Sequence, residues 1–213
     1  MSGVWSKRST LFVFITFVVI YITFVVRTAW VSDDAYITLR TVNNFINGYG
    51  LTWNITERVQ AYTHPLWMLA LSFVNFFTRE VFFTTIAVSI LFSLATIFWI
   101  AFKATRNFLV AASAVILLCG SKAYVDYSTS GLENPMSHFL LVVFIYYYFL
   151  PTKNLRHLTF LAFIAALIML NRQDFALIVI APLVHTWHQI WRKSSVRLFA
   201  ASFVALIGFM PLI

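Results

Sequence analysis

Long apolar runs constrain this chain more than any other feature of its sequence. Residues 11–26 and 81–102 contain no charged side chain and consist mainly of Phe, Ile, Leu and Val. A helix that crosses a membrane needs about 20 mostly apolar residues, and both runs approach or exceed that length. Of the 213 residues, 61% are hydrophobic and 10% are charged, whereas a soluble domain has about 45–50% and about 25%. The sequence therefore predicts an all-α, polytopic membrane helical bundle that forms a single module over residues 1–213.

The apolar stretches set the number of predicted spans. One stretch, residues 64–77, is about 14 residues long, which is short for a span and suits an interfacial or re-entrant helix. The other candidate spans are 9–31, 81–102, 108–120, 135–150, 157–171, 174–191 and 197–213.

The basic residues decide between the two possible topologies. If the N-terminus is cytoplasmic and residues 64–77 do not cross, seven further basic residues fall on the cytoplasmic side: Lys103, Arg106, Lys153, Arg156, Arg192, Lys193 and Arg197. If residues 64–77 do cross, all seven move outside, against the usual excess of Lys and Arg in cytoplasmic loops. We therefore predict about seven spans plus a juxtamembrane helix in the first external loop. The net charge of +8 is explained by this orientation, and no basic groove or recognition helix indicates nucleic acid as a partner.

This topology places three polar loops, residues 32–63, 121–134 and 171–174, on the external face. Together they hold six of the seven acidic residues: Asp33, Asp34, Glu57, Asp126, Glu133 and Asp174. Carboxylates gathered at one face of a membrane bundle indicate a polar functional site there.

The first external loop opens with two adjacent carboxylates, Asp33 and Asp34. A helix is predicted to follow them and to end at the turn residues 47–50, because apolar residues recur at helical spacing: Tyr36, Leu39, Val42, Phe45 and Ile46. Ser32 or Asp33 could serve only as the N-cap of that helix. Alternatively, two carboxylates at the mouth of a span repel each other and resist desolvation, which prepares one of them to act as a general base.

The rest of the first loop is irregular, polar and aromatic. Tyr62 and Trp67 offer aromatic faces to a sugar, whereas Arg58 and His64 could contact a phosphate. The alternatives are that Glu57 and Arg58 form a solvated pair and that Trp67 anchors the chain at the membrane interface.

The other two loops each contribute candidate residues. Glu133 precedes Pro135, which suits the first turn of a helix, so Glu133 could either bind substrate or merely favour the positive end of that helix. Arg172 and Asp174 lie between two apolar helices, where they could bind substrate or form a structural ion pair.

The sequence predicts no metal site and no cofactor. Cys119 is the only cysteine, so there is neither an internal disulfide nor a thiolate cluster. His185 and His188 share a helix face, but no carboxylate accompanies them.

Taken together, five segments resemble a known family. Residues 33–40, 47–51, 57–59, 62–67 and 129–133 are similar, in this order, to the mycobacterial terminal arabinofuranosyltransferases and to related bacterial proteins of the GT-C glycosyltransferase superfamily. The resemblance extends to the predicted topology, which matches the N-terminal module of the superfamily. The family's C-terminal spans and external domain are absent from this chain, which we therefore expect to be an N-terminal portion of a longer protein.

The resemblance implies an enzyme that transfers a sugar, such as arabinofuranose, from a polyprenyl-phosphate donor to a glycan or protein acceptor with inversion at the anomeric carbon. It implies a multi-pass protein of the bacterial inner membrane whose site faces the periplasm and needs no metal. By motif position it gives the role of base to Asp33, with Asp34 as helper. The substrate-binding residues implied are Arg58, Tyr62, His64, Trp67, Glu133, Arg172 and Asp174.

The sequence departs from the family pattern in two places. His64 stands where family members usually have Asn, and residues 172–175 replace a loop that is often Arg-Pro-Asp-Gly.

Two other functions are alternatives to sugar transfer. A transporter or flippase of a lipid-linked sugar should show inverted repeats, and none is visible in the sequence. A non-catalytic assembly subunit would not need the intact pair Asp33 and Asp34.

Overall fold

The computed structural model describes residues 7–57, 59, 62–104, 107–152, 154–192 and 202–203. In these residues the only β-type pairing is an isolated bridge between Asn54 and Glu57, so the all-α prediction is confirmed. The α-helices are α1 (Lys7–Arg27), α2 (Asp33–Ile46), α3 (Pro65–Thr78), α4 (Val81–Trp99), α5 (Phe108–Gly120), α6 (Lys122–Tyr127), α7 (Asn134–Tyr148), α8 (Leu155–Asn171) and α9 (Ala176–Trp191). A π-helical turn, Ile100–Ala104, extends α4, and a 3₁₀ turn, Gln173–Phe175, precedes α9.

The helices follow the predicted spans closely, with one addition. The short helix α6 lies inside the predicted loop 121–134, and Ser121 caps it by accepting a hydrogen bond from the Tyr124 N–H. The predicted span 197–213 lies outside the described residues except for 202 and 203. In the described part of the chain, one helix, Val81–Ala104, is long and apolar enough to cross a membrane, and the other apolar helices that qualify by composition are shorter.

Local sequence signals explain where several helices begin and end. The Glu80 carboxylate accepts hydrogen bonds from three backbone N–H groups in the first turn of α4. Asn107 and Asn154 cap α5 and α8 in the same manner. As predicted, Asn47 and the following glycine, Gly48 with φ of 85°, end α2.

Three groups of buried apolar side chains hold the helices together. One joins α7, α8 and α9, with Phe144, Leu161 and Leu183 among its members. A second joins α2, α3, α4 and α7 around Trp67, and a third joins α1, α4, α5 and α6 around Tyr21. Because α4 belongs to the second and third groups and also packs on α7, it lies at the centre of the bundle.

Helix α3 lies across one end of this bundle. Near its start, the Trp67 indole N–H donates to the Gly131 carbonyl at 2.9 Å. At its end, the Thr78 hydroxyl accepts a hydrogen bond at 2.8 Å from Thr84, which is in the first turn of α4. Thr85, which follows Thr84 in α4, is close to Gly131: a Cβ placed on Gly131 would lie 3.6 Å from the Thr85 side chain. The start of α3 thus contacts the loop at residues 128–133 directly, and its end is linked to the same loop through the first residues of α4.

That loop, residues 128–133, is buried against the start of α2. The Ser32 N–H donates to the Ser130 carbonyl at 2.8 Å, and the Ser128 hydroxyl lies 2.5 Å from the Tyr21 hydroxyl of α1. Gly131 has φ of +80°, and a Cβ there would lie 2.8 Å from the Ala35 Cβ. Glycine is thus required at this position by both its backbone conformation and its neighbour.

The rest of the first loop folds back on α2. The Arg40 guanidinium donates to the Trp53 carbonyl at 3.0 Å and lies 4.5 Å from the centre of the Trp53 ring. The Asn44 amide also donates to the Trp53 carbonyl, at 3.0 Å. The Glu57 carboxylate accepts from the Asn54 amide at 3.1 Å, whereas Arg58, its predicted partner, lies outside the described residues.

The arrangement of α3 generates a topology prediction. With Cys119 changed to Ser, we expect Tyr49→Cys and Lys122→Cys to react alike with an impermeant thiol reagent in intact cells, because both exposed positions flank the end that α3 crosses. Lys103→Cys and Arg192→Cys, at the other end, should be protected until the cells are permeabilised. Opposite labelling of positions 49 and 122 would show that α3 crosses the membrane.

The close contact at Gly131 generates a stability prediction. We expect Gly131→Ala to lower the free energy of unfolding by about 1–3 kcal/mol, the usual cost of forcing a residue into the left-handed region, with the Ala35 contact adding to it. Thermal unfolding in detergent, followed by circular dichroism, measures the change. Gly120→Ala is the matched control, because nothing lies within 4 Å of a Cβ there, and it should stay within about 1 kcal/mol of the parent protein. Equal unfolding of the two variants would show that position 131 tolerates a side chain.

Candidate active site

A cavity of about 430 Å³ opens at the end of the bundle that α3 crosses. Side chains from each of the three predicted external loops line it. Five of the predicted site residues are among them: Asp34, Tyr62, His64, Glu133 and Arg172. The fold therefore brings together residues that are up to 138 positions apart in the sequence.

His64 is buried in the wall of this cavity, and both of its ring nitrogens have partners. Its Nε2 lies 2.6 Å from the Thr38 hydroxyl, and its Nδ1 lies 3.3 Å from a Glu133 carboxylate oxygen. Burial lowers the pKa of His64, and Arg172 lowers it further, against the opposing effect of Glu133. The neutral ring that results fits its partners when Nδ1–H donates to Glu133 and Nε2 accepts from Thr38.

Glu133 is held between two partners from different elements. One carboxylate oxygen faces His64, and the other lies 3.4 Å from Arg172 Nη1. Glu133 occupies the N-cap position of α7, but its side chain makes no capping hydrogen bond. Glu133 therefore lies at the positive end of α7, where a carboxylate is favourable, and its side chain also contacts His64 and Arg172.

Arg172 is anchored by a bidentate ion pair. Its Nε and Nη2 donate to the two oxygens of Asp174 at 3.1 and 3.0 Å, and Nη1 donates to the Asn134 side chain at 3.2 Å. The hydrogen bonds to Asp174 raise the pKa of Arg172, and the same contacts lower the pKa of Asp174. The structural ion pair considered from the sequence is thus present, and it holds the guanidinium at the cavity.

The two adjacent carboxylates at the start of α2 differ in their surroundings. Asp34 lines the cavity. Asp33 accepts hydrogen bonds from the Ser32 hydroxyl at 3.2 Å and from the Asp34 N–H at 3.0 Å. Ser32 occupies the N-cap position of α2, as the alternative from the sequence allows, but its side chain makes no capping hydrogen bond, and Asp33 is the first residue of the helix.

Two further predicted residues, Trp67 and Asp174, are not part of the cavity lining. Trp67 is fully buried and supports the 128–133 loop through Gly131. Asp174 acts on the cavity only through Arg172. Arg58 lies outside the described residues.

Six residues that line the cavity are not among the predicted site residues: Ile37, Thr38, Thr63, Tyr127, Leu132 and Asn134. Thr38 could have been found, because it follows Asp34 by one helical turn and so shares its face of α2. Tyr127 and Asn134 flank the 128–133 loop, and nothing in their spacing distinguishes them.

The cavity combines hydrogen-bonding groups with the aromatic rings of Tyr62 and Tyr127. Its volume is in the usual range for small-molecule sites, about 300–1,000 Å³. Among the described residues, no three His, Cys, Asp or Glu side chains come together as a metal site would require.

The buried His64 generates a pH prediction. A lowered pKa means that the unfolded chain binds a proton on this residue more readily than the folded protein does. The neutral His64 therefore contributes fully to the free energy of unfolding above about pH 6.5, the ordinary His pKa. This contribution is lost as the pH falls towards the pKa that His64 has in the folded protein. Thermal unfolding at pH 7.5 and pH 5 should show a smaller acid destabilisation in His64→Asn than in the parent protein. An identical pH dependence in both proteins would contradict this interpretation.

Comparison with known proteins identifies two relatives. The chain is 27% identical over 197 residues to a protein of Mycobacterium tuberculosis named terminal beta-(1->2)-arabinofuranosyltransferase, a match that covers 82% of this chain and 31% of the relative. It is 36% identical over 111 residues to a protein of the same name from Corynebacterium glutamicum, covering 49% of this chain and 16% of the relative. No protein-family model and no solved structure matches the chain.

The chain thus spans about a third of the length of the first relative and less of the second. The resemblance predicted from the five motifs is confirmed: the chain is similar in sequence to the terminal arabinofuranosyltransferases.

Proposed function

We propose that this chain provides the donor site of a GT-C membrane glycosyltransferase. The enzyme transfers a sugar, arabinofuranose by analogy with the relatives' name, from polyprenyl phosphate to a glycan or protein acceptor. The observation that carries the proposal is the cavity in which Asp34 lies with the linked side chains of His64, Glu133 and Arg172. A carboxylate, hydrogen-bonding groups and a cation in one cavity are what a sugar phosphate and an attacking hydroxyl require.

The base is Asp34 in this proposal, with Asp33 as its support. This reverses the order that the resemblance implied, because Asp34 lines the cavity while Asp33 is engaged with Ser32 and the backbone. The acceptor hydroxyl oxygen forms a bond to the anomeric carbon, and its proton goes to Asp34. The bond from that carbon to the phosphate oxygen breaks on the opposite face, which inverts the configuration, and polyprenyl phosphate leaves.

The departing phosphate carries negative charge, and cationic or donor groups near it lower the barrier. All three guanidinium nitrogens of Arg172 donate hydrogen bonds to Asp174 or Asn134. The positive charge is therefore fixed in position before the donor arrives. Arg58 is the other candidate for this contact, whereas both ring nitrogens of His64 are engaged with Thr38 and Glu133. Glu133 contacts both His64 and Arg172 and so fixes their positions relative to each other. The rings of Tyr62 and Tyr127 offer faces on which a sugar ring can pack.

Embedding in a membrane is supported by the outer surface of the bundle. Large apolar side chains are exposed on many helices, including Leu177 at 84%, Phe149 at 76% and Leu117 at 74%. Such a surface is unusual for a soluble monomer and suits contact with lipid. We propose about seven spans in the bacterial inner membrane, with the cavity on the periplasmic side and the donor's lipid tail between helices.

Two matched substitutions test this function. In membranes from cells that express the protein from its natural gene, transfer from a synthetic polyprenyl-phosphate arabinofuranose should fall about 10²–10⁴-fold in Asp34→Asn, the range for loss of a general base. Asp33→Asn should lose less than about tenfold. Donor binding should change little in either variant, because Asn keeps the shape of Asp.

The outcomes separate the alternatives. A large loss in Asp33→Asn with little change in Asp34→Asn would restore the order implied by the resemblance. Full activity in both variants would show that the cavity is not the catalytic site. Movement of the lipid-linked sugar across the bilayer without any transfer would favour a flippase.

A further inference from the structure

A second polar cavity, of about 650 Å³, lies at the opposite end of the bundle. Helices α7 and α9 both run away from the candidate active site, and their last turns form this cavity. Its polar lining consists of Tyr148, His185, Gln189 and Arg192. None of these residues has a role in the proposed transfer.

Hydrogen bonds hold the polar wall of this second cavity in a fixed arrangement. The His185 Nδ1 lies 2.8 Å from the Tyr148 hydroxyl, and its Nε2 lies 3.1 Å from the Gln189 amide nitrogen. The imidazole is thus held by one residue from α7 and one from α9. Arg192 follows on the next turn of the same face of α9 as Gln189 and brings a positive charge to the cavity.

This end of the molecule has no negative charge to balance Arg192. All seven acidic residues of the chain are described, and they lie in the loops and helix starts around the candidate active site. Arg192 forms no ion pair with any described residue. Lys103 and Arg156 are at this end as well, so a ligand that complements it must be anionic.

An apolar groove of about 380 Å³ adjoins the second cavity. It runs between the π-helical end of α4 and the last turns of α7, and Ala104 and Ile145 are among the residues that line it. The groove and the cavity share Phe149 and Leu150. A site with a basic polar part and an adjoining apolar part fits a molecule that is anionic at one end and hydrocarbon at the other.

We propose that this end of the bundle binds an anionic glycerophospholipid of the cytoplasmic leaflet, with its phosphate in the cavity beside Arg192 and one acyl chain in the groove. The proposal rests on the proposed embedding in the membrane but not on the proposed transfer reaction. An Arg in the last turn of a helix is also favourable for the helix dipole, but that effect requires neither a cavity nor an adjoining groove. Basic pockets between helices on the cytoplasmic side are a known mode of lipid headgroup binding.

Native mass spectrometry of the purified chain in a neutral detergent tests this proposal. Phosphatidylglycerol and phosphatidylcholine with identical acyl chains are titrated separately, and glycerol 3-phosphate serves as a headgroup without chains. We expect phosphatidylglycerol to bind at least about fivefold more tightly than phosphatidylcholine, the value for one basic contact at a membrane surface. Glycerol 3-phosphate should bind far more weakly than the lipid.

Three variants locate the site. Arg192→Gln should abolish the preference for phosphatidylglycerol, whereas Arg156→Gln, the matched removal of an exposed basic charge at the same end, should preserve it. Ala104→Phe fills the groove from an exposed position and should weaken the binding of both lipids. Equal effects of the two Arg variants, or no preference in the parent protein, would overturn the proposal. Glycerol 3-phosphate that binds as tightly as the lipid would also overturn it, because the groove would then contribute nothing.

Discussion

The candidate active site depends on the contact between residues 128–133 and the start of α2. That loop joins the bundle through backbone groups, with the Ser130 carbonyl accepting from Ser32 and the Gly131 carbonyl accepting from Trp67. The absence of a side chain at Gly131 lets α2 approach to within contact of the loop. Without this approach, Asp34 on α2 and Glu133 at the start of α7 could not line the same cavity. The geometry of the site is therefore a consequence of backbone packing that involves no catalytic group.

The polar residues of the cavity add contacts between elements that the apolar groups also join. His64 precedes α3, Glu133 precedes α7 and Arg172 follows α8, and their contacts form one continuous chain of charge and hydrogen bonds. Low dielectric surroundings strengthen such a network when each member has a partner. Because Glu133 is the shared member, its removal would take one partner each from the buried imidazole and from the guanidinium.

The sequence predicted the helices well and the contacts within the site only in part. Apolar runs and capping residues determine helix ends locally, which is why 108–120 and the helix after Pro65 were found within a residue. The shared face of the three polar loops was predicted from the apolar runs and the distribution of basic residues, and five of the predicted site residues line one cavity. The different surroundings of Asp33 and Asp34 could not be predicted, because they depend on how α2 is oriented against a loop almost 100 residues away in the sequence. Trp67 was assigned to substrate binding from its aromatic character, whereas its burial depends on the path of the 128–133 loop.

The shortness of α5 has a consequence for the surrounding lipid. Its 13 residues rise about 20 Å at 1.5 Å per residue, whereas the hydrocarbon layer of a bilayer is about 30 Å thick. Helix α5 contacts α1 and the π-helical end of α4, so tilting it would disrupt that packing. In the proposed topology, the hydrocarbon would therefore thin by several ångströms beside α5, and α7, with 15 residues, would impose a mismatch of the same kind. Thinning of this kind shortens the distance that a lipid headgroup must cover to move between leaflets, and it gives the protein a preference for regions of membrane that are already thin.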